Sequence, residues 1–190
     1  MRDAENIRAL DEKRLIDWMG FIFYPQSPRY VHEKPTYLPK NCRRVGVFVN
    51  EDLHVVNEIA ATVGLDYVQL HGQESAEYAR QVICPVIKAY SYNDKFSVAE
   101  ANDYPSEMVL LDAGTPALPG GTGQCFDWKK AARDISQLHK SVLVAGGISR
   151  DNVKQVNKLL HPYAVDVSSS LEENNEKSIE KIQAFLRRIK

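Results

Sequence analysis

Short apolar runs alternate along this chain with longer segments whose apolar residues recur at helical spacing. The runs are four to seven residues long and apolar on both faces, which is typical of parallel strands covered on both sides. They predict seven strands, at residues 18–24, 44–49, 67–70, 85–89, 108–111, 141–145 and 164–167.

Amphipathic segments lie before, between and after these runs. Asn50, Ser75 and Ser149 stand where a side-chain oxygen could cap a helix. Pro35 and Pro39 limit any helix between residues 32 and 40 to a short one. Counting that one, eight helices are predicted, at residues 3–16, 32–40, 51–63, 75–82, 95–102, 128–138, 149–160 and 178–190.

Regular alternation of strand and helix predicts an α/β fold with a parallel sheet, either doubly wound and open or closed as a (β/α)8 TIM-type barrel. The barrel is favoured because glycine or polar residues follow most strands, as expected where a site forms at the carboxyl ends of barrel strands. Seven strands are one too few, so we expect a single barrel domain over residues 1–190 with its first strand missing. The residues at the strand ends are Tyr24, Asn50, His71, Asp112, Gly146 and Ser168.

Composition narrows the function. A net charge of −1 without a basic cluster argues against nucleic acid as a partner. No apolar stretch approaches the roughly 18 residues that a membrane span needs, so we expect a cytoplasmic protein with no membrane partner. Cys42, Cys84 and Cys125 are odd in number and widely spaced. We therefore expect free thiols, no metal and no cofactor.

Three stretches carry candidate chemistry. Asp112 ends a buried strand before a loop with glycines at 120, 121 and 123, a pattern that fits either an acid beside a ligand loop or an ordinary surface loop. V-A-G-G-I-S at 144–149 and V-D-V-S-S-S at 165–170 would place backbone N–H groups and hydroxyls around a phosphate. The glycine pair could also be only a tight turn.

Several ordered motifs resemble those of the phosphoribosylanthranilate isomerases of tryptophan biosynthesis. The resemblance covers essentially the whole chain, and it implies a phosphorylated small-molecule substrate that undergoes an Amadori rearrangement. The motifs are F-I-F-Y-P-Q-S-P-R-Y-V at 21–31, R-V-G-V-F-V-N at 44–50, V-Q-L-H-G at 68–72, L-L-D at 110–112, P-G-G-T-G at 119–123, F-D-W at 126–128, A-G-G-I at 145–148 and V-D-V-S-S at 165–169.

The resemblance assigns roles to individual residues. Asp112 matches the general acid, and Arg29 matches the arginine that faces the anthranilate carboxylate. Asp166 is expected to point inward and orient its neighbours, whereas Gln69 and His71 fit substrate contact and a packing or hydrogen-bonding role equally well. The residues that match the phosphate-binding rim are Gly146, Gly147, Ser168 and Ser169.

The chain departs from the family pattern at the base. The family's base is the cysteine of a K-x-C-G-M segment ending the first strand, and no such segment occurs in this sequence. Cys42 and Cys84 precede strands and so belong to the opposite face, while Cys125 lies in a loop where the family has no base. A smaller departure is Ser170, where glycine is usual and where serine is expected to stiffen the phosphate loop.

Alternatives follow from this departure. The activity of the 190-residue form is left open, and a catalytically silent phosphosugar-binding barrel is the second hypothesis. An indole-glycerol-phosphate synthase fits less well. That family would need lysine and glutamate residues at several strand ends, whereas Lys88 is the only lysine near the centre of a predicted strand. The chain is expected to be either an amino-terminally shortened reading of a complete enzyme or an open barrel that forms a homodimer through unpaired strand edges.

Overall fold

Seven parallel strands form one sheet in the order in which they occur along the chain. The computed structural model describes residues 1–114, 126–174 and 176–189. All seven predicted strands are confirmed. They are β1 (Trp18–Ile22), β2 (Arg43–Phe48), β3 (Tyr67–Leu70), β4 (Val86–Ser91), β5 (Met108–Asp112), β6 (Ser141–Val144) and β7 (Ala164–Val165).

Helices connect consecutive strands from β2 to β7, whereas an irregular loop connects β1 to β2. A 3-10 helix at Ser169–Leu171 and an antiparallel hairpin of β8 (Glu172–Glu173) and β9 (Glu176–Lys177) follow the sheet. The α-helices are α1 (Ala4–Glu12), α2 (Leu53–Val63), α3 (Ala76–Arg80), α4 (Val98–Asp103), α5 (Trp128–Ile135), α6 (Val153–Leu160) and α7 (Ile179–Ile189).

The short helix predicted at residues 32–40 is absent, since this described segment contains no helix. Two prolines there remove backbone donors, and a distant carboxylate satisfies the donors that follow. The Asp11 carboxylate accepts hydrogen bonds from the backbone N–H groups of Lys40 and Asn41 and from the Tyr37 hydroxyl at 2.8 Å. The segment is therefore held as an irregular loop against α1.

Two of the three predicted caps are also corrected. Ser75 caps α3 as expected, but α2 begins after Asp52 and α6 after Asn152. Asn50 instead adopts a left-handed backbone conformation, and its side chain accepts a hydrogen bond from the Gln73 N–H at 2.6 Å. This contact ties the loop after β2 to the loop after β3.

The sheet curls as a TIM-type barrel does. Residues from β1, β2, β3, β5 and β7 and from the segment that follows β6 border a single cavity, although β1 and β7 form the two edges of the sheet. Among the described residues no hydrogen-bonded ladder joins these edges, so the barrel is open between them. None of the helices in the described ranges is both long and apolar enough to cross a membrane.

Alternate residues of each strand face opposite sides of the sheet, and this period places the site. One set of side chains faces the inside of the curled sheet, where Val45, Ile87 and Leu110 share a buried cluster. The other set faces outward and packs against the helices. On β5 the inward row runs through Met108 and Leu110 to Asp112. The carboxyl group therefore ends a strand on its inner side.

Candidate active site

All nine residues that the sequence suggested for the site line one cavity at the inner side of the sheet. Its volume is about 1540 Å³, more than the roughly 300–1,000 Å³ of most small-molecule pockets, because it includes the gap between β1 and β7. The residues come from the ends of five strands or the loops that follow them: Arg29, Gln69, His71, Asp112, Gly146, Gly147, Asp166, Ser168 and Ser169.

Asp112 is a buried carboxyl group, 4% exposed. Burial raises its pKa, and hydrogen bonds from the backbone N–H groups of Gly114 and Ala113 offset only part of that rise. The bond from Gly114 reaches Oδ1 at 3.0 Å. A carboxyl group of this kind holds its proton to higher pH than an exposed aspartate does, which suits it to donate a proton.

Gly146 lies directly against this carboxyl group. Its backbone is left-handed, with a φ of +78°, and a Cβ there would stand 2.7 Å from Asp112 Oδ1 and 2.4 Å from the Ala113 nitrogen. Gly147 is also left-handed, with a φ of +66°. The pair does form the tight turn considered above, and the turn lets the loop after β6 approach Asp112 closely.

His71 and Gln69 form a second buried group beside Asp112. Gln69 Nε2 lies 3.3 Å from His71 Nδ1, and His71 Nε2 lies 3.6 Å from Asp112 Oδ2 without a hydrogen-bond partner among the described residues. Burial lowers the pKa of His71 to about 4, so the ring is neutral at pH 7. The tautomer in which Gln69 donates to Nδ1 carries its proton on Nε2, the nitrogen nearer to Asp112.

Asp166 follows β7 and faces the cavity, where its side chain is exposed. The surrounding protein raises its pKa and the nearby Asp112 raises it further, whereas Lys177 and His71 lower it. Among the described residues no hydrogen bond to its carboxylate supports the predicted orienting role, which stays a prediction.

The loops after β6 and β7 are joined at the rim. The Ser170 hydroxyl donates to the Ile148 carbonyl at 2.8 Å, and Asn152 Nδ2 donates to the Gly147 carbonyl at 2.8 Å. Ser170, the residue that departs from the family's glycine, thus holds the two predicted phosphate loops together. Such a tie fits the predicted stiffening.

Arg29 does not stand alone in the loop after β1. Its Nε and Nη2 donate to the two oxygens of Glu172 at 2.6 and 2.7 Å. Lys177 Nζ lies 2.5 Å from Glu172 Oε1 and donates to the Ser168 hydroxyl at 2.9 Å. Sequence reasoning missed Glu172 and Lys177, because no apolar period marks the short hairpin that pairs them.

The described cysteines do not reach the chemistry. Cys42 and Cys84 are free and precede β2 and β4, which puts them roughly 20 Å from the carboxyl ends of those strands at about 3.3 Å per residue. Burial raises the pKa of both thiols, that of Cys42 to about 11. The opposite-face prediction is confirmed for these two. Cys125 and the glycines at 120, 121 and 123 lie outside the described residues.

A metal role finds no support in the described part of the chain. Within residues 1–114, 126–174 and 176–189, no group of three or more His, Cys, Asp or Glu side chains is placed to hold an ion. Among the cavity residues described above, the available chemistry is that of three carboxyl groups, a neutral imidazole, two bound basic side chains and a rim of hydroxyl and backbone donors. These are, in that order, Asp112, Asp166 and Glu172, then His71, then Arg29 and Lys177.

Fold and cavity together define a TIM-type α/β protein whose polar groups meet at the carboxyl ends of its strands. Residues 2–188 match the family described as N-(5'phosphoribosyl)anthranilate (PRA) isomerase. An N-(5'-phosphoribosyl)anthranilate isomerase of Listeria monocytogenes is 41% identical over 179 residues, which are 92% of this chain and 88% of that protein. The chain belongs to this family, whose members are isomerases of tryptophan biosynthesis.

Solved structures agree with this assignment. The phosphoribosyl anthranilate isomerase of Thermotoga maritima superposes with a TM-score of 0.86 at 32% identity, over 99% of this chain and 94% of that one. A phosphoribosyl anthranilate isomerase in complex with reduced 1-(o-carboxyphenylamino)-1-deoxyribulose 5-phosphate gives a TM-score of 0.81 at 30% identity, over 99% and 97%.

Proposed function

We propose that this chain isomerises N-(5'-phosphoribosyl)anthranilate to 1-(2-carboxyphenylamino)-1-deoxyribulose 5-phosphate by an Amadori rearrangement. The observation that carries the proposal is the position of Asp112, a buried carboxyl group with a raised pKa, in the same cavity as a rim suited to a phosphate. Family membership supports it, and so does the phosphorylated ligand of the related solved structure.

Asp112 is proposed as the general acid. It protonates the furanose ring oxygen, the C1′–O bond breaks toward that oxygen, and the nitrogen lone pair forms the C1′=N bond. Loss of the C2′ proton then gives an enolamine, and transfer of the 2′-hydroxyl proton to C1′ gives the ketone, so that no electrons are gained or lost overall. His71 Nε2–H, 3.6 Å from Asp112 Oδ2, is placed to donate to that carboxylate once the proton has left.

The base that takes the C2′ proton is assigned to no described residue. The family resemblance places it on a cysteine, and Cys42 and Cys84 lie at the opposite ends of the strands with raised pKa values. A thiol that stays protonated and distant cannot accept the proton. The activity of the 190-residue form therefore has to be measured.

The two anionic ends of the substrate are proposed to bind to two different groups of cavity residues. Gly146, Gly147, Ser168 and Ser169 offer backbone N–H groups and hydroxyls to the phosphate, and Arg29 faces the anthranilate carboxylate. Gln69 and Asp166 line the space between these ends, where they would contact the ribose portion.

Loss of substrate fluorescence tests the proposal. Wild-type protein is expected to turn over phosphoribosylanthranilate at least about 100-fold faster than Asp112→Asn, because general acid catalysis contributes roughly 10²–10⁴-fold. Asp94→Asn, which alters an exposed carboxylate paired only with Lys130, is the matched control and should keep wild-type activity. Equal rates for wild type and Asp112→Asn would refute the assignment of the acid.

The second candidate function, a catalytically silent phosphosugar-binding barrel, is favoured by the lack of a cysteine base among the described site residues. It predicts that wild-type protein binds reduced 1-(o-carboxyphenylamino)-1-deoxyribulose 5-phosphate and yet shows no turnover. Calorimetric titration beside the fluorescence assay separates the two functions.

We also propose that the chain forms a homodimer through the open edges of β1 and β7. Unpaired edges of buried strands expose backbone donors and acceptors that readily pair with another chain. Sedimentation equilibrium should give a dimer mass, and a monomer at all concentrations tested would contradict this assembly.

A further inference from the structure

The carboxylate of Glu172, inside the cavity, bridges two of the basic side chains that line it, Arg29 and Lys177. Glu172 Oε1 accepts from both Arg29 Nε, at 2.6 Å, and Lys177 Nζ, at 2.5 Å, while Oε2 accepts from Arg29 Nη2 at 2.7 Å. The Glu172 side chain is only 10% exposed, and those of Arg29 and Lys177 are 23% and 15% exposed. The two ion pairs that share Glu172 are therefore screened less by salt than an ion pair at the surface.

The bridge is consistent with a charged Glu172. Burial alone would raise the pKa of this carboxyl group, but the hydrogen bonds from Arg29 and Lys177 outweigh burial and lower it to about 2. The three groups together carry one net positive charge at neutral pH. The rim therefore remains attractive to an anionic ligand even though one carboxylate is already bound there.

The geometry of the guanidinium decides which of its edges meets the ligand. Arginine carries five N–H donors in a planar fork, and Glu172 takes the side that holds Nε and Nη2. Nη1 makes no hydrogen bond to another described residue, so the end formed by Nη1 and Nη2 is left to a ligand. A bidentate contact between Arg29 and a ligand carboxylate would then use this end.

Glu172 also acts on the other end of the site through Lys177. The two residues are cross-strand neighbours in the β8–β9 hairpin, and Lys177 Nζ donates to both the backbone carbonyl and the hydroxyl of Ser168, at 3.0 and 2.9 Å. Ser168 belongs to the loop proposed to hold the phosphate. One carboxylate thus connects the residues proposed for the two anionic ends of the substrate.

We propose that Glu172 is a positioning residue for Arg29: it holds the guanidinium with its Nη1–Nη2 end toward the ligand carboxylate. This rests on the proposed function, since it takes the ligand to be a carboxylate-bearing phosphosugar. Two other roles would have different signatures. A carboxylate that merely competed with the ligand would weaken binding, and one that only stabilised the fold would affect all ligands alike.

Calorimetric titration with two probes separates these roles. The first probe is reduced 1-(o-carboxyphenylamino)-1-deoxyribulose 5-phosphate, and the second is its phenylamino analogue, which lacks the carboxylate. For Glu172→Gln we expect the Kd of the first probe to rise at least about tenfold, because a misplaced charge-assisted fork loses most of its contact. The Kd of the second should rise less than about threefold. Glu77→Gln, at an exposed carboxylate, is the matched control and should change neither.

A double-mutant cycle with Arg29→Lys shows whether Glu172 acts through the guanidinium. In the lysine background, Glu172→Gln should change the Kd of the first probe less than about twofold. Glu172→Asp, one methylene shorter, should give an intermediate loss, and it serves as the second variant if Glu172→Gln does not fold.

Each remaining result overturns the inference. Tighter binding by Glu172→Gln would make Glu172 a competitor, whereas equal losses for both probes would give it a structural role only. Unchanged binding would deny it any role. Wild-type protein that bound neither probe would overturn the proposed function, and this inference with it.

Discussion

Neutralising Glu74, which forms a buried ion pair with Lys88, should lower the unfolding free energy of this fold strongly. Lys88 Nζ lies 2.8 Å from Glu74 Oε2, and the two side chains are 6% and 2% exposed. The Glu74 carboxylate also accepts from the backbone N–H groups of Asn50 and Gly72, at 2.8 and 3.0 Å. Glu74→Gln preserves the shape of the side chain and removes its charge.

The unfolding free energy that Glu74→Gln loses can be bounded in two ways. At 2.8 Å and an effective dielectric constant of about 20, the attraction between unit charges is about 6 kcal/mol, of which burial has already cost a part. In the variant, Lys88 can instead lose its proton. With a reference pKa of about 10.4, that loss costs about 5 kcal/mol at pH 7 and about 2 kcal/mol at pH 9. We therefore expect Glu74→Gln to lose about 3–5 kcal/mol of unfolding free energy at pH 7.

The sign of the pH dependence follows from the lysine. Burial lowers the pKa of Lys88, and Glu74 partly restores it, so the variant should hold a folded-state pKa well below the unfolded value. The unfolded chain then binds more protons than the folded one, and the stability of the variant rises with pH up to about 10. Relative to wild type, the variant should regain by pH 9 about half of the unfolding free energy that it lacks at pH 7.

Urea unfolding at the two pH values, followed by circular dichroism, measures these quantities. Glu77→Gln is the control: its carboxylate lies 3.6 Å from Arg80 with both groups exposed, and the change should stay within about 0.5 kcal/mol. Adding Lys88→Met to Glu74→Gln should cost less than the sum of the two single changes. A loss below about 1 kcal/mol at pH 7, or a loss independent of pH, would refute the reasoning.

Three further predictions concern the site. In Gly146→Ala the new Cβ would stand 2.7 Å from Asp112 Oδ1 on a left-handed backbone. Because this displaces the proposed acid, kcat/KM should fall at least about tenfold. Normal kinetics would contradict this. Asp112→Asn should be more stable than wild type at pH 7, because a carboxyl group whose folded pKa is raised loses stability as pH rises from its unfolded value. Thermal unfolding should show that this difference in stability shrinks as pH falls below about 4. A difference that persisted there would contradict a raised pKa for Asp112. Ser170→Ala removes the hydroxyl that donates to the Ile148 carbonyl and should cost about 1 kcal/mol in urea unfolding, whereas no change would show that this bond does not tie the loops.

Local periodicity was enough to predict the strands and the inner face of the site. An apolar run of four to seven residues has few structures open to it, and the alternation of side chains along a strand puts Asp112 on the same side as Leu110. Gln69 and His71 follow the same rule on β3. The glycines at 146 and 147 also signalled a turn, because only glycine adopts their left-handed backbone without strain.

Local signals failed where a distant group decided the outcome. The short helix expected at residues 32–40 is absent because the Asp11 carboxylate takes the backbone donors that follow it. Asn50 is not the cap of α2, since it instead binds the loop after β3.

By itself, then, the sequence determined the order of strands and helices, the parallel α/β class and which strand ends face the cavity, since each depends on residues close together in the chain. Only the tertiary structure decided the partners of the charged groups. Arg29 and Glu172 are 143 positions apart and Glu74 and Lys88 are 14 apart. The Glu74–Lys88 pair meets through the pairing of β3 with β4, and Arg29 meets Glu172 only in the tertiary fold. Neither pair is marked in the sequence, because a charge has no period by which its partner can be recognised.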